Sequence, residues 1–432
     1  MSEVKLGDIS FITKLAGFEH TKYIQGNNTR EKISEDDVPL FIGKTVQNGK
    51  IDKNFDWYIP KELSNQLERS KLNKKCLVLP YVGSVGDLAI FDASYDAHLG
   101  SNIAKIELAC NSGYSEEFIY YFLKSDYGQK VLLRDIQGAI QKNITMKAIR
   151  DVSLPDISIQ EQDKIVSILK SLDDKIDNNN QINQELETMA KILYDYWFVQ
   201  FDFPDQNGKP YKSSGGKMVY HPELKREIPE GWGVEKLGEL IELERGVTYA
   251  KSDIVEKTKK DAIGVLRATN ITGNVMDLND LVYLTKDKIN NKQIIKQYET
   301  LIVMSSGSKE HLGKNAINYY EEVIGFGAFC SKIVPQKYST YINTFLQSSE
   351  FKGYLLKQSM GTNINNLTNS DILDCRIILP NEEILDKFEN MVEKNFKLIS
   401  NNYIQNQQLT QLRDWLLPML MNGQVKVENY TD

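Results

Sequence analysis

Few side chains in this sequence stand at spacings that could make or break a bond. The nearest approach to a phosphate loop is Gly43–Lys44–Thr45, but position 38 is Val38 where the motif needs glycine. The turn Gly83–Ser84–Val85–Gly86 is not a nucleophile elbow, because the residue two before Ser84 is Val82. No Pro-Pro dipeptide occurs, so the [DN]-P-P-[YF] strip that an adenine methyltransferase lays against a flipped base is missing, as is any H-E-x-x-H pattern. Asp173–Asp174 reads as the solvated face of a helix. The cysteines (Cys76, Cys110, Cys330, Cys375) contain no C-x-x-C pair, and the four histidines no ligand spacing. All four cysteines therefore read as reduced core residues, and no metal site is expected.

Recognition chemistry fares better. In the grooves of duplex DNA, Arg suits guanine and Asn or Gln suits adenine, and loops can vary without disturbing a core. The candidates for base or phosphate contact are Lys44, Thr45, Gln47, Asn48, Ser84, Gln141 and Lys142 in the first half of the chain. In the second half they are Arg267, Thr269, Asn270, Ser308, Lys309, His311 and Asn363. Asn143 and Asn366 read as turn braces. Trp197, Phe198, Phe201 and Phe203 read as core or partner interface rather than a platform for stacked bases.

The elements that must carry these loops repeat. From about Ile119 to Trp197, adding 223 lands on a matching residue type: Phe122 on Phe345, Gly138 on Gly361, Asn143 on Asn366, Thr145 on Thr368, Asp163–Lys164 on Asp386–Lys387. VKLGDI at 4–9 matches EKLGEL at 235–240, and CLVLPYVGSVG at 76–86 matches TLIVMSSGS at 300–308. A period this long means two copies of one unit rather than a solenoid. Each copy runs from short β-rich segments, through an amphipathic helical pair (116–134; 341–358), to a long helix.

In the first long helix, Ile165, Leu169, Leu172, Ile176, Asn179, Asn183, Leu186, Ala190, Leu193 and Trp197 step by fours and threes. In the second, Phe388, Val392, Asn395, Ile399, Asn402, Asn406, Leu409, Arg413, Leu416 and Leu420 do the same. Such seams are coiled-coil faces, and the first would extend roughly 50 Å. Both carry Asn at the same two central positions (Asn179 and Asn183; Asn402 and Asn406), a buried polar layer that fixes register at a cost in stability. Matching by itself fits parallel or antiparallel pairing.

At 432 residues the chain should split into several domains. The boundaries expected are a mixed domain at 1–155, a helix at 156–199, a Pro- and Gly-bearing linker at 200–232, a second mixed domain at 233–380, a second helix at 381–425 and a tail at 426–432. The net charge of −7 argues at first against a nucleic-acid partner. By segment, however, residues 1–155 hold 20 basic and 20 acidic side chains and 233–380 hold 18 and 17, while 156–200 carry 4 against 9 and 381–432 carry 5 against 8. The two globular stretches are neutral; such a domain can still read bases through a few placed side chains, but its phosphate attraction is weak and a partner must supply part of the affinity. No apolar run approaches the ~20 residues of a membrane span, and MSEVKLGD lacks a signal-peptide layout. The expected location is cytoplasmic.

YDYWFVQFDFP (194–204) followed by MVYHPELKREIPEGWGVEKLGEL (218–240) resembles the central junction of type I restriction-modification specificity subunits. LRDWLLPMLMNGQVKV (412–427) resembles the end of that family's second helix, and GAIQKNIT (138–145) and GTNINNLT (361–368) its turn before each helix. The resemblance covers essentially the whole chain. One departure is that the first copy has no IPEGW lead-in.

The resemblance implies an α+β fold: two pseudo-repeated mixed α/β target-recognition domains separated by two long antiparallel coiled-coil helices. Each domain would read one half of an asymmetric bipartite site in double-stranded DNA. Two methyltransferase subunits would dock on the helices, and restriction endonuclease subunits could join. S-adenosylmethionine, with ATP and Mg for restriction, would be bound by those subunits, and no cofactor by this chain. The residues alone leave open a coiled-coil scaffold that does not read DNA; the missing motifs argue against a self-contained methyltransferase or nuclease.

Overall fold

A computed structural model describes residues 4–83, 85–134, 143–360, 366–421 and 423–425. The chain divides into two compact units, one made of residues 1–176 with 408–432 and the other of 177–407.

In the first unit an antiparallel four-stranded sheet has the order Ser10–Lys14, Ile103–Leu108, Cys76–Pro80, Ala89–Phe91. A second four-stranded sheet has the order Tyr58–Ile59, Val38–Phe41, Ala97–Leu99, Lys71–Leu72, with its central pair parallel. Two ribbons complete it: Val4–Lys5 with Ser153–Leu154, and Val46–Gln47 with Lys50–Ile51. The second unit reproduces every pairing. Its sheets run Ile241–Arg245, Cys330–Pro335, Thr300–Val303, Asn315–Ile317 and Val282–Thr285, Ala262–Leu266, Ile324–Phe326, Ile294–Ile295, again with one parallel central pair. Its ribbons are Gly233–Lys236 with Arg376–Leu379 and Ile271–Thr272 with Val275–Met276. Strands Cys76–Pro80 and Thr300–Val303 are buried along their whole length, as their unbroken apolar runs require of strands covered on both faces.

Local chemistry sets the helix ends. Ser115 and Ser125 cap Glu116–Lys124 and Asp126–Leu132 by accepting from the amides of Phe118 and Gly128. Thr145 and Thr368, one repeat apart, cap Met146–Arg150 and Asn369–Leu373 in the same way. The long helices are Ile159–Tyr194 and Glu382–Met421, whose starts differ by the repeat offset.

Within the second unit, Asn179 faces Asn406 and Asn183 faces Asn402, so the helices run antiparallel there. Within the first, Ile165 and Leu169 share a core with Leu417, Leu420 and Met421, and Arg413 bonds Asp173.

Residues 200–232, which composition reads as a linker, are packed rather than loose. Phe203 stacks on Trp232 and Tyr211 at 4.7 and 4.6 Å, and Met218–His221 pairs with Arg226–Pro229. Trp197, Phe198, Phe201 and Phe203 all lie in the core of the second unit. One expectation fails: Cys110 is exposed, two residues past the end of strand Ile103–Leu108, whereas Cys76, Cys330 and Cys375 are buried. Burial pushes those three thiols up to about 12, which leaves them protonated and inert.

Candidate nucleic-acid interface

The candidate loops are built on one plan in both units. A short helical turn (Gly43–Thr45; Ala268–Asn270) leads into the small ribbon, and its last residue is buried. The Thr45 hydroxyl accepts from the Ile42 amide at 2.9 Å, and Asn270 Oδ1 accepts from Arg267 N at 2.8 Å. Asn270 Nδ2 also donates to the carbonyls of Asp277 and Asp280. These two side chains hold the loop; they do not present themselves to a ligand. What the loop presents is its exposed rim: Lys44, Gln47 and Asn48 in the first unit, Thr269 in the second. Asn48 and Gly49 have φ of 53° and 79°, the pairing of a type I′ hairpin turn, which puts Asn48 at the tip.

Neighbouring contacts tie this rim to the other candidate loops. Gly49 N donates to Asp87 Oδ1 at 3.0 Å, joining the ribbon to the loop after strand Cys76–Pro80. In the second unit, Gly273 and Asn274 share a cleft of about 300 Å³ with Glu310, Lys314 and Lys352. The segment before each small helix joins in as well: Asn143 bridges to Val82, and Asn366 to Ser305, whose hydroxyl also bonds the Asn366 side chain.

Two of the charged candidates already have protein partners. Lys44 pairs with Asp56 at 2.6 Å, and Arg267 Nη2 with Asp280 at 2.6 Å, while Arg267 Nε is buried with no partner among the described residues. Asp280 is exposed, so that pair can open toward a base or phosphate. Ser308 caps the turn holding Lys309 and His311; Lys309 is exposed, and His311 Nδ1 lies 3.4 Å from Lys314 Nζ. Ser84, Gln141, Lys142 and Asn363 lie outside the described residues. His98, by contrast, is a core residue, its ring between the carbonyls of Leu99 and Leu67 and its pKa pushed down to about 4 by burial. Among the described residues no three His, Cys, Asp or Glu side chains converge as metal ligands would.

The polar layer of the helix pair is larger than its spacing suggests. Asn179 Nδ2 donates to Gln405 Oε1 at 2.7 Å and to Asn406 Oδ1 at 2.8 Å. Asn406 Nδ2 donates to Asn180 Oδ1, and Asn402 Nδ2 to Asn183 Oδ1, both at 2.8 Å. Asn180 and Gln405 flank the seam rather than lie on it, so a search for the four-and-three pattern passes over them.

A family model described as the type I restriction modification DNA specificity domain matches residues 2–188 and again 229–411. The chain belongs to this family. The two matched segments are the two copies of the repeat, and as a specificity subunit the chain is a recognition rather than a catalytic component of its system. The MjaIX type I specificity subunit from Methanocaldococcus jannaschii is 27% identical over 420 residues, covering 91% of this chain and 92% of its own. The EcoKI specificity subunit from Escherichia coli is 36% identical over 143 residues, 33% of this chain and 31% of its own. A solved type I S subunit from M. genitalium aligns over 97% of this chain and 95% of its own at 16% identity, with a TM-score of 0.49. Among the described residues, no helix of this specificity subunit is long and apolar enough to cross a membrane.

Proposed function

We propose that the chain reads an asymmetric bipartite target in double-stranded DNA, one half with each copy, and directs adenine-N6 methylation by two methyltransferase subunits. Cleavage follows where endonuclease subunits join, and S-adenosylmethionine, ATP and Mg belong to those partners. The observation that carries this reading is one frame bearing two different rims. The sheets and caps match strand for strand, while KTVQNG at 44–49 corresponds to ATNITG at 268–273 and the loops after Cys76–Pro80 and Thr300–Val303 differ in length and charge. Different rims on one frame call for different half-sites, unlike the palindromes read by symmetric dimers.

Support for two identical partners comes from exposed apolar residues. Met189 and Ile192 stand exposed on the first long helix, and the residues one repeat later, Leu412 and Trp415, stand exposed on the second. Exposed apolar groups repeated at equivalent positions suit a partner present twice.

The test is to transplant residues 233–380 from a relative and map methylated adenines genome-wide in cells carrying the methyltransferase. One half of the motif should change and the other stay intact. A motif unchanged, or altered in both halves, would reject two independent readers.

A further inference from the structure

The second unit contains a cavity of about 690 Å³ between the first long helix and the recognition fold, and its walls are not those of the matching place in the first unit. Adding 223 to Asp173 gives Phe396, to Tyr121 gives Thr344 and to Lys124 gives Gln347; subtracting it from Arg413 gives Ala190. In the first unit these positions are filled by a charged network. Arg413 Nη1 donates to Asp173 Oδ1 at 2.8 Å and Tyr121 Oη to Asp173 Oδ2 at 2.9 Å, and Lys124 lies over the Tyr120 ring. In the second unit Ala190, Phe396, Thr344 and Gln347 line the open space instead. The guanidinium of the first unit has no counterpart there, and neither do the side chains that surround it.

The groups left behind suit a replacement. Glu187, one turn before Ala190, lines the cavity; burial pushes its carboxyl up to about 7, and among the described residues no cation pairs with it. Lys191 also lines the cavity, but it makes no ion pair with Glu187. Gln347 Oε1, an acceptor, is buried without a hydrogen-bond partner among the described residues. The rings of Phe396 and Tyr403 supply aromatic faces on which a planar cation can stack. Burying acceptors in this way is costly unless a donor reaches them, and the volume is that of a small-molecule site.

The geometry points to a site for a planar organic cation of the guanidinium class, held between Glu187, Gln347 Oε1 and the Phe396 and Tyr403 rings. The cation takes the place that Arg413 fills in the other copy. This inference does not depend on whether the chain reads DNA.

The probes are agmatine, citrulline as a neutral comparison, and a capped Gly-Arg-Gly peptide, titrated calorimetrically against the full chain. Agmatine should bind, citrulline should not, and Glu187→Gln, which keeps the shape and removes the charge, should weaken agmatine at least tenfold. Ala190→Arg, which places in cis the guanidinium that Arg413 supplies in the other copy, should abolish agmatine binding and leave the helix content by circular dichroism unchanged. A peptide that binds better than agmatine would assign the cation to an arginine of another polypeptide; agmatine binding better would assign it to a free small molecule. Absence of binding by both cationic probes, equal binding of citrulline and agmatine, or agmatine affinity unchanged in Glu187→Gln would overturn the assignment.

Discussion

The amide layer between the long helices offers a quantitative test of what fixes their register. Asn179 and Asn406 are both buried, and they form a pair whose single and double replacements should not add. Replacing Asn179 alone with Leu removes both donors that reach Gln405 and Asn406. It strands the buried Asn406 Oδ1, at about 1–3 kcal/mol for one buried unsatisfied group. Part of that is offset, because Asn179 Oδ1 is itself buried without a partner among the described residues and disappears. The net expectation is a loss of about 1–2 kcal/mol. Asn406→Leu should cost about 1 kcal/mol, since Asn179 keeps Gln405 and the Asn180 amide is exposed to water. The double replacement leaves neither stranded group and adds apolar contact, so it should be neutral or stabilising by about 1 kcal/mol. The coupling is then about 2–4 kcal/mol. In a cooperative unit of this size it would be read as several degrees between the double variant and the sum of the singles, at about 2–4 °C per kcal/mol. Calorimetry gives the melting temperatures. Disulfide trapping of L186C with I399C, in a background without the native cysteines, reports register, since the pairs 179–406 and 183–402 fix the antiparallel alignment that also brings those two positions opposite. Replacing all four Asn with Leu should raise the melting temperature and lower trapping. Additive singles, or full trapping in the fourfold variant, would refute the account.

Three further outcomes are expected. Glu187 binds its proton more tightly folded than unfolded, because burial raises its pKa from 4.5 to about 7. Its contribution therefore worsens as pH climbs from about 4.5 to 7, and Glu187→Gln should match the parent at pH 4 and exceed it at pH 8. The ceiling is about 3 kcal/mol at roughly 1.4 kcal/mol per pH unit; equal melting temperatures at both pH values would contradict this. Asn270→Ala leaves the Arg267 amide and two carbonyls without their partner, so it should cost about 1–3 kcal/mol and weaken the second half-site as a whole, without changing which base is preferred. Placing Glu at Met189 and Ile192 together, or at Leu412 and Trp415, should each halve the methyltransferase stoichiometry measured by native mass spectrometry, and all four changes should abolish it.

The sequence made the repeat and the seams legible because each rests on spacing alone. An offset of 223 survives any path the chain takes between the copies, and steps of four and three need only a helix. The sheets were not legible in that way. Val38–Phe41 lies beside Ala97–Leu99 in parallel, and Lys71–Leu72 and Tyr58–Ile59 are two residues long, too short to show a period of two. Thr45 and Asn270 look like readers because short polar side chains in loops serve equally as caps. Which role they play depends on Ile42 N and Arg267 N, whose placement is set by sheet pairing far off in sequence. Residues 200–232 carry turn-forming Pro and Gly, yet Phe203, Tyr211 and Trp232 fold them back onto the core. Composition counts the turn formers and misses three aromatic rings spread over thirty positions.

The repeat also separates what the frame demands from what it leaves free. Lys105 and Lys332 occupy equivalent strands and are almost fully buried, and each donates at 2.8 Å to a carbonyl of the other sheet's edge strand, that of Lys71 or Ile294. A buried ammonium needs a carboxylate, and both have one, but from different places. Glu107 lies two residues along the same strand, and Glu299 comes from the segment before Thr300–Val303. The frame therefore constrains the environment of the lysine rather than the identity of its neighbour. The rims are still less constrained, since Gln47 and Asn48 are exposed and the Gln47 side chain bonds locally, to the carbonyl of Lys44. A surface so weakly coupled to the pairing beneath it can change its side chains at little cost in stability. Independent replacement of one half-site reader requires that freedom, and a scaffold without a reading role would have no use for two divergent rims.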